Sequence, residues 1–420
     1  MIIQNIMEAI WKPISEQYWN EYDSAMNLSA EEIYQGFVGE KMKYFPYVGV
    51  NMNYVNTLGC PYRMKNKKLA GCSMCDYQSE FAAKQGALLA LRKKDPELYA
   101  KCVRENFLNS RVESDSSVIE NISGYDSLDY SEVPEELCIQ LFSKELFATS
   151  PFIYNVEARA SSITRERLTN FSKTVSGKKR VSIDFGVEVA DEWIRNHWLN
   201  KEITNAQIEN AVELLHEFHF KAVGNVLLGL PGLTEEQSIE EFVKTVLWMD
   251  DIGIDKIVVH VLNRKKYTIH GFIHDSLSDS KILQESGLAN GEHTGLPWLF
   301  TVLRAINNLY RARKNIFSKT VIVRIDPEYN SITNKVCYNA DEQCKCNKEI
   351  IEFINNLVFK KNYFEIQDFL LSFKADDCYI EYEKLLDKQK SQADVHQTIE
   401  ILCKEITKKL LGKECEVDCI

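Results

Sequence analysis

A chain of 420 residues, 45% hydrophobic and 26% charged, has room for two or three small domains or for one α/β barrel with an appendage. It contains no run of 18 apolar residues, so no membrane span is expected, and the opening Met1-Ile-Ile-Gln-Asn-Ile-Met-Glu8 lacks the basic start and clean apolar core of a signal peptide, which points to a cytoplasmic protein. A formal net charge of −11 argues against a chain that coats itself in nucleic acid.

Residues 1–45 read as an aromatic-rich helical cap carrying Trp11, Tyr18, Trp19 and Tyr22. Tyr47–Asn56 alternates apolar and polar residues like a strand and runs into a loop of three cysteines. That loop is Asn56-Thr-Leu-Gly-Cys60, an eleven-residue gap, then Cys72-Ser-Met-Cys75-Asp-Tyr77. Residues 78–110 read as helix, 117–122 as a strand, 123–129 as a turn, about 132–148 as a helix and 152–157 as a strand. Arg180–Glu188 is the next strand. Thr204 and Gln207 form a capping box before a helix with Ile208, Val212 and Leu215 on one face. Phe220–Leu228 is a strand closed by Gly229-Leu-Pro-Gly232. A second capping box, Thr234 and Gln237, opens a helix striped with Ile239, Phe242, Val243, Val246 and Leu247. Asp255–Leu262 is a strand, about 296–313 a helix, and Thr320–Arg324 the last strand.

Strand and helix alternate, which predicts a parallel sheet with crossover helices. In such sheets chemistry sits at the carboxyl ends of the strands. The cysteine loop, the 123–129 turn, Glu157, Glu188, the 229–232 turn and Asn263 all fall at those ends.

Soft thiolates bind zinc or iron–sulfur clusters. Structural zinc wants four closed ligands, and the nearest histidines, His197 and His216, are far along the chain. A four-iron cube held by three cysteines leaves one iron open. The plain alternative is three unrelated thiols. Cys337, Cys344 and Cys346 suggest a second metal site, with Cys415 or Cys419 as a fourth partner, or else a loop of buried or reactive thiols. Three basic clusters stand out: Arg63, Lys65, Lys67 and Lys68; Arg264, Lys265 and Lys266; Arg311, Arg313 and Lys314. Taken singly each is a solvated face, whereas several around one mouth would suit an anionic substrate. His260, His270 and His274 read as structural. Tyr125 and Tyr267 are candidates to relay a hydrogen atom or stack on substrate. Glu157 and Glu188 either serve a ligand or pair with Arg159 and Arg195.

The loop Thr57-Leu-Gly-Cys60 … Gly71-Cys-Ser-Met-Cys-Asp-Tyr77 resembles the cluster loop of radical S-adenosylmethionine (SAM) enzymes. In particular it looks like the branch of the elongator catalytic subunit and the archaeosine synthase radical SAM subunit, which uses a longer first gap. Further segments resemble that branch: Ser123-Gly124 … Leu128-Asp129 … Glu132-Val-Pro134, Val156-Glu-Ala-Arg159 … Ile163-Thr164 with Ala160 in place of a proline, Phe185-Gly-Val-Glu188 … Ile194-Arg195 … Leu199–Thr204, Asn263 … Thr268, Pro297-Trp-Leu299, and Cys344-Lys-Cys346-Asn-Lys-Glu349. The resemblance implies that Cys60, Cys72 and Cys75 hold three irons of a 4Fe–4S cluster and that SAM chelates the fourth. It implies that Met74 lies against the SAM adenine, that Tyr77 belongs to the cofactor-binding residues and that Ser123 and Gly124 meet the SAM amino group. It also implies that Glu157 and Glu188 contact the amino group and ribose, that Arg195 pairs with the carboxylate, and that Gly229 and Gly232 allow close approach to adenine.

The expected architecture is a partial parallel (β/α)6 barrel over 46–318 with an N-terminal helical cap (1–45) and a cysteine-bearing C-terminal α/β extension (319–420). The expected function is reductive SAM cleavage to a 5′-deoxyadenosyl radical that abstracts hydrogen from a small, anionic substrate in a lyase or rearrangement reaction. An electron donor such as flavodoxin or ferredoxin is the implied partner. The alternatives are a tRNA-modifying lyase and a cluster-binding sensor without catalysis.

Overall fold

The computed structural model describes residues 2–39, 50–65, 67–76, 79–110, 119–123, 125–142, 153–175, 180–291, 294–326, 334–340, 342–392 and 394–412. Seven segments form one parallel sheet: β1 (Val50–Tyr54), β2 (Ile119–Ser123), β3 (Ile153–Glu157), β4 (Val181–Glu188), β5 (Lys221–Leu228), β6 (Lys256–Val261) and β7 (Thr320–Ile322). Each strand pairs with its sequence neighbours, so spatial order equals chain order. Val50 lies opposite Ile119, Tyr154 opposite Val181, Ser182 opposite Lys221, Val223 opposite Lys256 and Thr320 opposite Ile257.

An order that never reverses makes every right-handed crossover pass over the same face of the sheet. Helices therefore cover the outside while the inner face curves around a cavity. Among the described residues β1 and β7 do not pair, so this is an incomplete barrel. The partial parallel barrel expected from the strand–helix alternation is the architecture observed, with Thr320–Ile322 as a seventh strand.

Two faces of the same strands part company chemically. Ile183 and Val187 of β4, Ala222 and Val226 of β5, and Ile257 and Val259 of β6 are buried in one apolar cluster with the crossover helices Asn205–Glu217, Glu235–Asp251 and Leu299–Ala312. Burying each of the valines and isoleucines among them contributes roughly 1.5–3 kcal/mol. Both capping boxes form: the Thr204 hydroxyl accepts from the Gln207 N–H, the Thr234 hydroxyl from that of Gln237, and each glutamine side chain returns to its cap residue.

The single helix read over 78–110 is three, Ser79–Ala82, Gln85–Lys94 and Pro96–Ser110. Pro96 forces the residue before it out of the helical region, and Asp95 is extended (φ −150°, ψ 94°). Asp95 Oδ1 then accepts from the Leu98 N–H at 2.9 Å.

Three N-terminal helices, Ile2–Ile10, Lys12–Met26 and Ala30–Phe37, precede β1. The first two reach the cysteine loop: Trp19 Nε1 donates to the Lys67 carbonyl at 2.6 Å, and Lys68 pairs with Glu8 at 2.6 Å. After β7 come helices Cys346–Lys360, Ile366–Ser372, Asp377–Gln389 and Val395–Leu411.

One buried carboxylate ties this outer layer together. Glu235 Oε2 accepts from the Trp298 N–H at 3.1 Å and from the Thr301 hydroxyl, and burial pushes the Glu235 carboxyl up to about 7. In the unfolded chain it would titrate near 4.5. Between those two values the folded state holds a proton that the unfolded state has released, so stability falls as pH rises through that window. Below the window both states are protonated and nothing is lost. Glu235→Gln keeps an acceptor and carries no charge. We expect it to be more stable than the wild type at pH 8, by roughly 1–3 kcal/mol, and to show no advantage at pH 4.5. Denaturant melts of the two proteins at both pH values check this; an equal difference at both would show that Glu235 does not titrate in this window.

Candidate active site

At the carboxyl ends of the strands lies a cavity of about 610 Å³. Its lining is drawn from nearly every strand end: Cys60, Cys72, Met74 and Cys75 after β1, Tyr125 after β2, Glu157 and Arg159 from β3, Asp184, Gly186 and Glu188 from β4, Asn225 from β5, His260 and Asn263 from β6, and Arg324 and Asp326 after β7.

The eleven-residue gap between Cys60 and Cys72 is a small hairpin, Met64–Lys65 paired antiparallel with Lys68–Leu69. This hairpin explains its basic residues. Arg63 is buried with its guanidinium 5.1 Å from the Trp11 ring and 5.0 Å from that of Tyr125. Lys65 pairs with Glu202 at 2.5 Å, and Lys68 with Glu8. The loop is closed against the barrel by Ser73, whose N–H donates to the Leu199 carbonyl at 2.9 Å and whose hydroxyl donates to the Trp198 carbonyl at 2.7 Å.

Two buried carboxylates lock three strand-end loops together. Glu132 accepts from the Thr57 hydroxyl (2.6 Å) at the head of the cysteine loop and from the N–H groups of Tyr125 (3.0 Å) and Asp126 (2.8 Å) after β2. Asp126 accepts from the Arg159 N–H at 3.2 Å and the Ser162 hydroxyl at 2.6 Å after β3. Burial pushes Glu132 up to about 7 and Asp126 up to about 6.

Arg159 bridges this network to the cysteines. Its Nη2 donates to the Lys201 carbonyl at 2.6 Å, its Nη1 lies 3.8 Å from Cys72 Sγ, and its guanidinium carbon stands 3.9 Å from the Tyr62 ring centroid. Burial pushes the Cys60 thiol up to about 12, with the Arg159 charge opposing it.

Glu188 sits at the end of β4 in a left-handed conformation, φ 65°. That backbone is uncommon for a residue with a side chain and gathers at functional sites. It follows a register irregularity between Gly186 and Glu188. The turned-in carboxylate pairs with Lys201 Nζ at 2.9 Å, both side chains being less than a tenth exposed. The pair occupies the space above Gly186, where a Cβ would stand 2.1 Å from Glu188 Oε1 and 2.5 Å from Lys201 Nζ.

The structure sorts the other sequence candidates. Met74 and Glu157 line the cavity. Ser123 ends β2, while Gly124 and Tyr77 lie outside the described residues. Arg195 is fully buried, and its donors go to main-chain carbonyls and one amide: Nε to Val187 (3.2 Å) and Val189 (3.0 Å), Nη2 to Val189, and Nη1 to Ile203 (3.2 Å) and to Asn205 Oδ1 (2.7 Å). It clamps the backbone on both sides of Glu188 and is not among the residues lining the cavity. Gly229 (φ 90°) and Gly232 (φ 70°) make the tight turn, but a Cβ on either would meet Pro297 Cγ at 2.4 Å or Leu402 Cδ1 at 2.5 Å. The left-handed backbone and the close approach of Pro297 and Leu402 together require glycine at both places. Tyr267 packs on Trp11, with ring centroids 5.6 Å apart, whereas Tyr125 faces the cavity and accepts from Gln85 Nε2 at 3.2 Å.

Cys337 also lines the cavity, and burial pushes its thiol up to about 12. It does not group with Cys344 and Cys346. Those two join Cys378 instead, with all three sulfurs within 4.8 Å, Cys344 and Cys378 disulfide-bonded, and Cys346 3.7 Å from Asp376 Oδ2. Cys415 and Cys419 lie outside the described residues. Of the basic clusters only Lys265 reaches the cavity; Arg264 pairs with Asp275, and Arg313 with Asp250 and Asp251.

Sequence reasoning passed over Asn155, Asp184 and Asn225 and read His260 as structural, so it missed the row these four form. The signal was present: each is a polar residue inside a strand whose flanking residues are apolar.

No protein-family model matches the chain. Over 214 residues it is 26% identical to the uncharacterized protein MJ0550 of Methanocaldococcus jannaschii, covering 48% of this chain and 53% of that one. The chain thus spans about half the length of the curated relative it matches. Among solved structures it is similar to the radical S-adenosylmethionine methyltransferase TsrM from Kitasatospora setae, solved with cobalamin and a 4Fe–4S cluster, at a TM-score of 0.29 and 13% identity over 50% of this chain and 36% of that chain. It is similar to Elp3 of Methanocaldococcus infernus at a TM-score of 0.40 and 11% identity over 76% of this chain and 64% of that chain. Its structural neighbours include radical SAM enzymes.

Proposed function

We propose that this chain is a radical SAM enzyme acting on a small polar substrate inside the barrel. The observation that carries the reading is the arrival of Cys60, Cys72, Cys75 and Met74 together on the carboxyl-end cavity, with a guanidinium beside Cys72. Three soft thiol donors on a cavity wall fit a 4Fe–4S cluster with one iron left for a ligand. Cys60, Cys72 and Cys75 would hold the cluster, which with SAM would supply radical chemistry by one-electron cleavage of the sulfonium.

The side chains bind, orient and exclude water. Met74 offers an apolar surface for adenine, and Glu157 and Glu188 offer acceptors for the SAM amino group and ribose. Arg195 fixes the backbone that carries Glu188. The role expected of Arg195, pairing with the SAM carboxylate, passes to Arg159, whose guanidinium does line the cavity. Arg324, 3.6 Å from Asp326, and Lys265, 4.0 Å from Asp76, stand on the lining, where an anionic substrate group would compete with those carboxylates for them. A volume of about 610 Å³ suits small-molecule ligands, which favours a small substrate over a folded RNA. Cleavage or rearrangement of that substrate is the reaction class carried over from the resemblance.

Anaerobic reconstitution with iron and sulfide, followed by dithionite and SAM, tests this directly. The expected result is a brown protein that forms 5′-deoxyadenosine and methionine. A reconstituted protein that holds its cluster but forms no nucleoside would favour a sensor, and salt-sensitive tRNA retention would favour the RNA-modifying reading.

A further inference from the structure

The interior of a parallel barrel is ordinarily filled by branched apolar side chains. Here a polar row crosses four adjacent strands, and Asp184, Asn225 and His260 of that row line the cavity. Ser182 of β4 donates to Asn155 Oδ1 of β3 at 2.6 Å. Asn155 Nδ2 donates to Asp184 Oδ2 at 3.3 Å, and Asn225 Nδ2 of β5 donates to Asp184 Oδ1 at 2.5 Å. Asn225 Oδ1 faces His260 Nε2 of β6 at 3.2 Å.

The donors along this row fix the protons. A carboxylate only accepts, so Asn225 must turn its amide N–H groups toward Asp184 and its carbonyl toward His260. His260 must then carry its proton on Nε2, which leaves Nδ1 as a bare acceptor. The imidazole is surrounded by protein yet exposed, and since it lines the cavity that exposure is to the cavity. Burial holds it well below the usual imidazole range, so it stays neutral.

Asp184 is the odd member. Among the described residues no lysine, arginine or histidine lies within ion-pair distance of it, and Lys256 acts on it only through charge at longer range. A carboxylate this deep is costly unless it is hydrogen-bonded and paired. Two amides supply the hydrogen bonds; nothing in the described chain supplies the pair.

We propose that this polar row is a substrate subsite for a protonated amine, with Asp184 as its counter-ion and His260 Nδ1 as a second acceptor. The proposal rests on reading the cavity as the active site and names the chemical class of what enters it. An amine at the row and an anionic group toward Arg324 and Lys265 would make the substrate zwitterionic, of amino-acid character. Burial also pushes Asp184 up to about 6, and a bound cation would bring it down again.

The test uses n-butylammonium, 1-butanol and butyrate as probes of one length, by saturation-transfer NMR and titration on the anaerobically reconstituted protein. The wild type should bind the ammonium about tenfold or more tightly than the alcohol, and butyrate should not compete. Asp184→Asn, of the same shape, should lose that preference about tenfold, and His260→Phe should weaken ammonium binding a few-fold. Equal binding of ammonium and alcohol by the wild type overturns the proposal without any variant. An ammonium preference unchanged in Asp184→Asn, shown to be folded by its thermal melt, overturns it as well. Iron content and SAM binding are measured on the same samples. Their absence would count against the radical SAM reading, whereas the amine result stands or falls separately.

Discussion

Replacement of Cys72 by Ala is expected to leave the chain folded, colourless and unable to cleave SAM. Cys72 belongs to the cavity wall with Cys60 and Cys75, and Arg159 Nη1 lies 3.8 Å from its sulfur. Two thiols cannot hold three corners of a cube, so iron after reconstitution should fall from about four per chain to near zero. 5′-Deoxyadenosine formation should fall to background with it. The thermal melt of the cluster-free proteins should barely move, because the hairpin is anchored by Ser73, Trp19 and Glu8 rather than by Cys72. Cys346→Ala provides the contrast. Its sulfur groups with Cys344 and Cys378, away from the triad, so its iron and its SAM cleavage should match the wild type. Full iron and nucleoside formation in Cys72→Ala would end the assignment of the triad.

The second large effect falls on Lys201. Burial works against its ammonium, yet Glu188 and Cys72 nearby hold its pKa above the usual lysine range. Lys201→Met removes that cation and strands a buried carboxylate on a left-handed backbone. Breaking a buried pair from one side costs roughly 3–5 kcal/mol, so a large drop in unfolding free energy is expected. The double variant Glu188→Gln with Lys201→Met should recover more than half of the loss, because it removes both charges. Denaturant unfolding of the four proteins closes the cycle. A single-variant loss below about 1 kcal/mol would show that the pair is solvated and that Glu188 is not held by it.

The barrel was legible because its signals are local. Alternating strands, two capping boxes and a helical stripe each depend on residues a few positions apart, and their repetition specifies parallel strands joined by crossovers. Pro96 was also legible in principle, since the break it makes is a property of one ring. The convergence of the three cysteines with Glu157 and Glu188 was readable for the same reason: parallel strands bring their carboxyl ends to one side.

Other roles depended on what each side chain finds across the fold, and residue type does not reveal that. Arg195 and Arg159 are both arginines just past strand ends. One spends its donors on carbonyls of Val187, Val189 and Ile203, and the other stands beside Cys72. Gly229 and Gly232 look like a turn made for a ligand, but the atoms that would collide with a Cβ belong to Pro297 and Leu402, about 70 and 170 positions away. Cys344 and Cys346 found Cys378 rather than Cys337 because the fold brings the first residues of helix Asp377–Gln389 to the start of helix Cys346–Lys360, where Cys344 bonds Cys378 and Cys346 meets Asp376. The row Asn155, Asp184, Asn225 and His260 exists only through strand register, in which each member stands diagonally, two positions beyond the residue opposite the last. The sequence by itself determined the winding of the sheet and the side on which its chemistry gathers, because hydrogen-bonding periodicity and chain handedness act locally. Tertiary structure alone decided which charges remain available to a ligand, because a charge is spent or free according to partners that lie far along the chain.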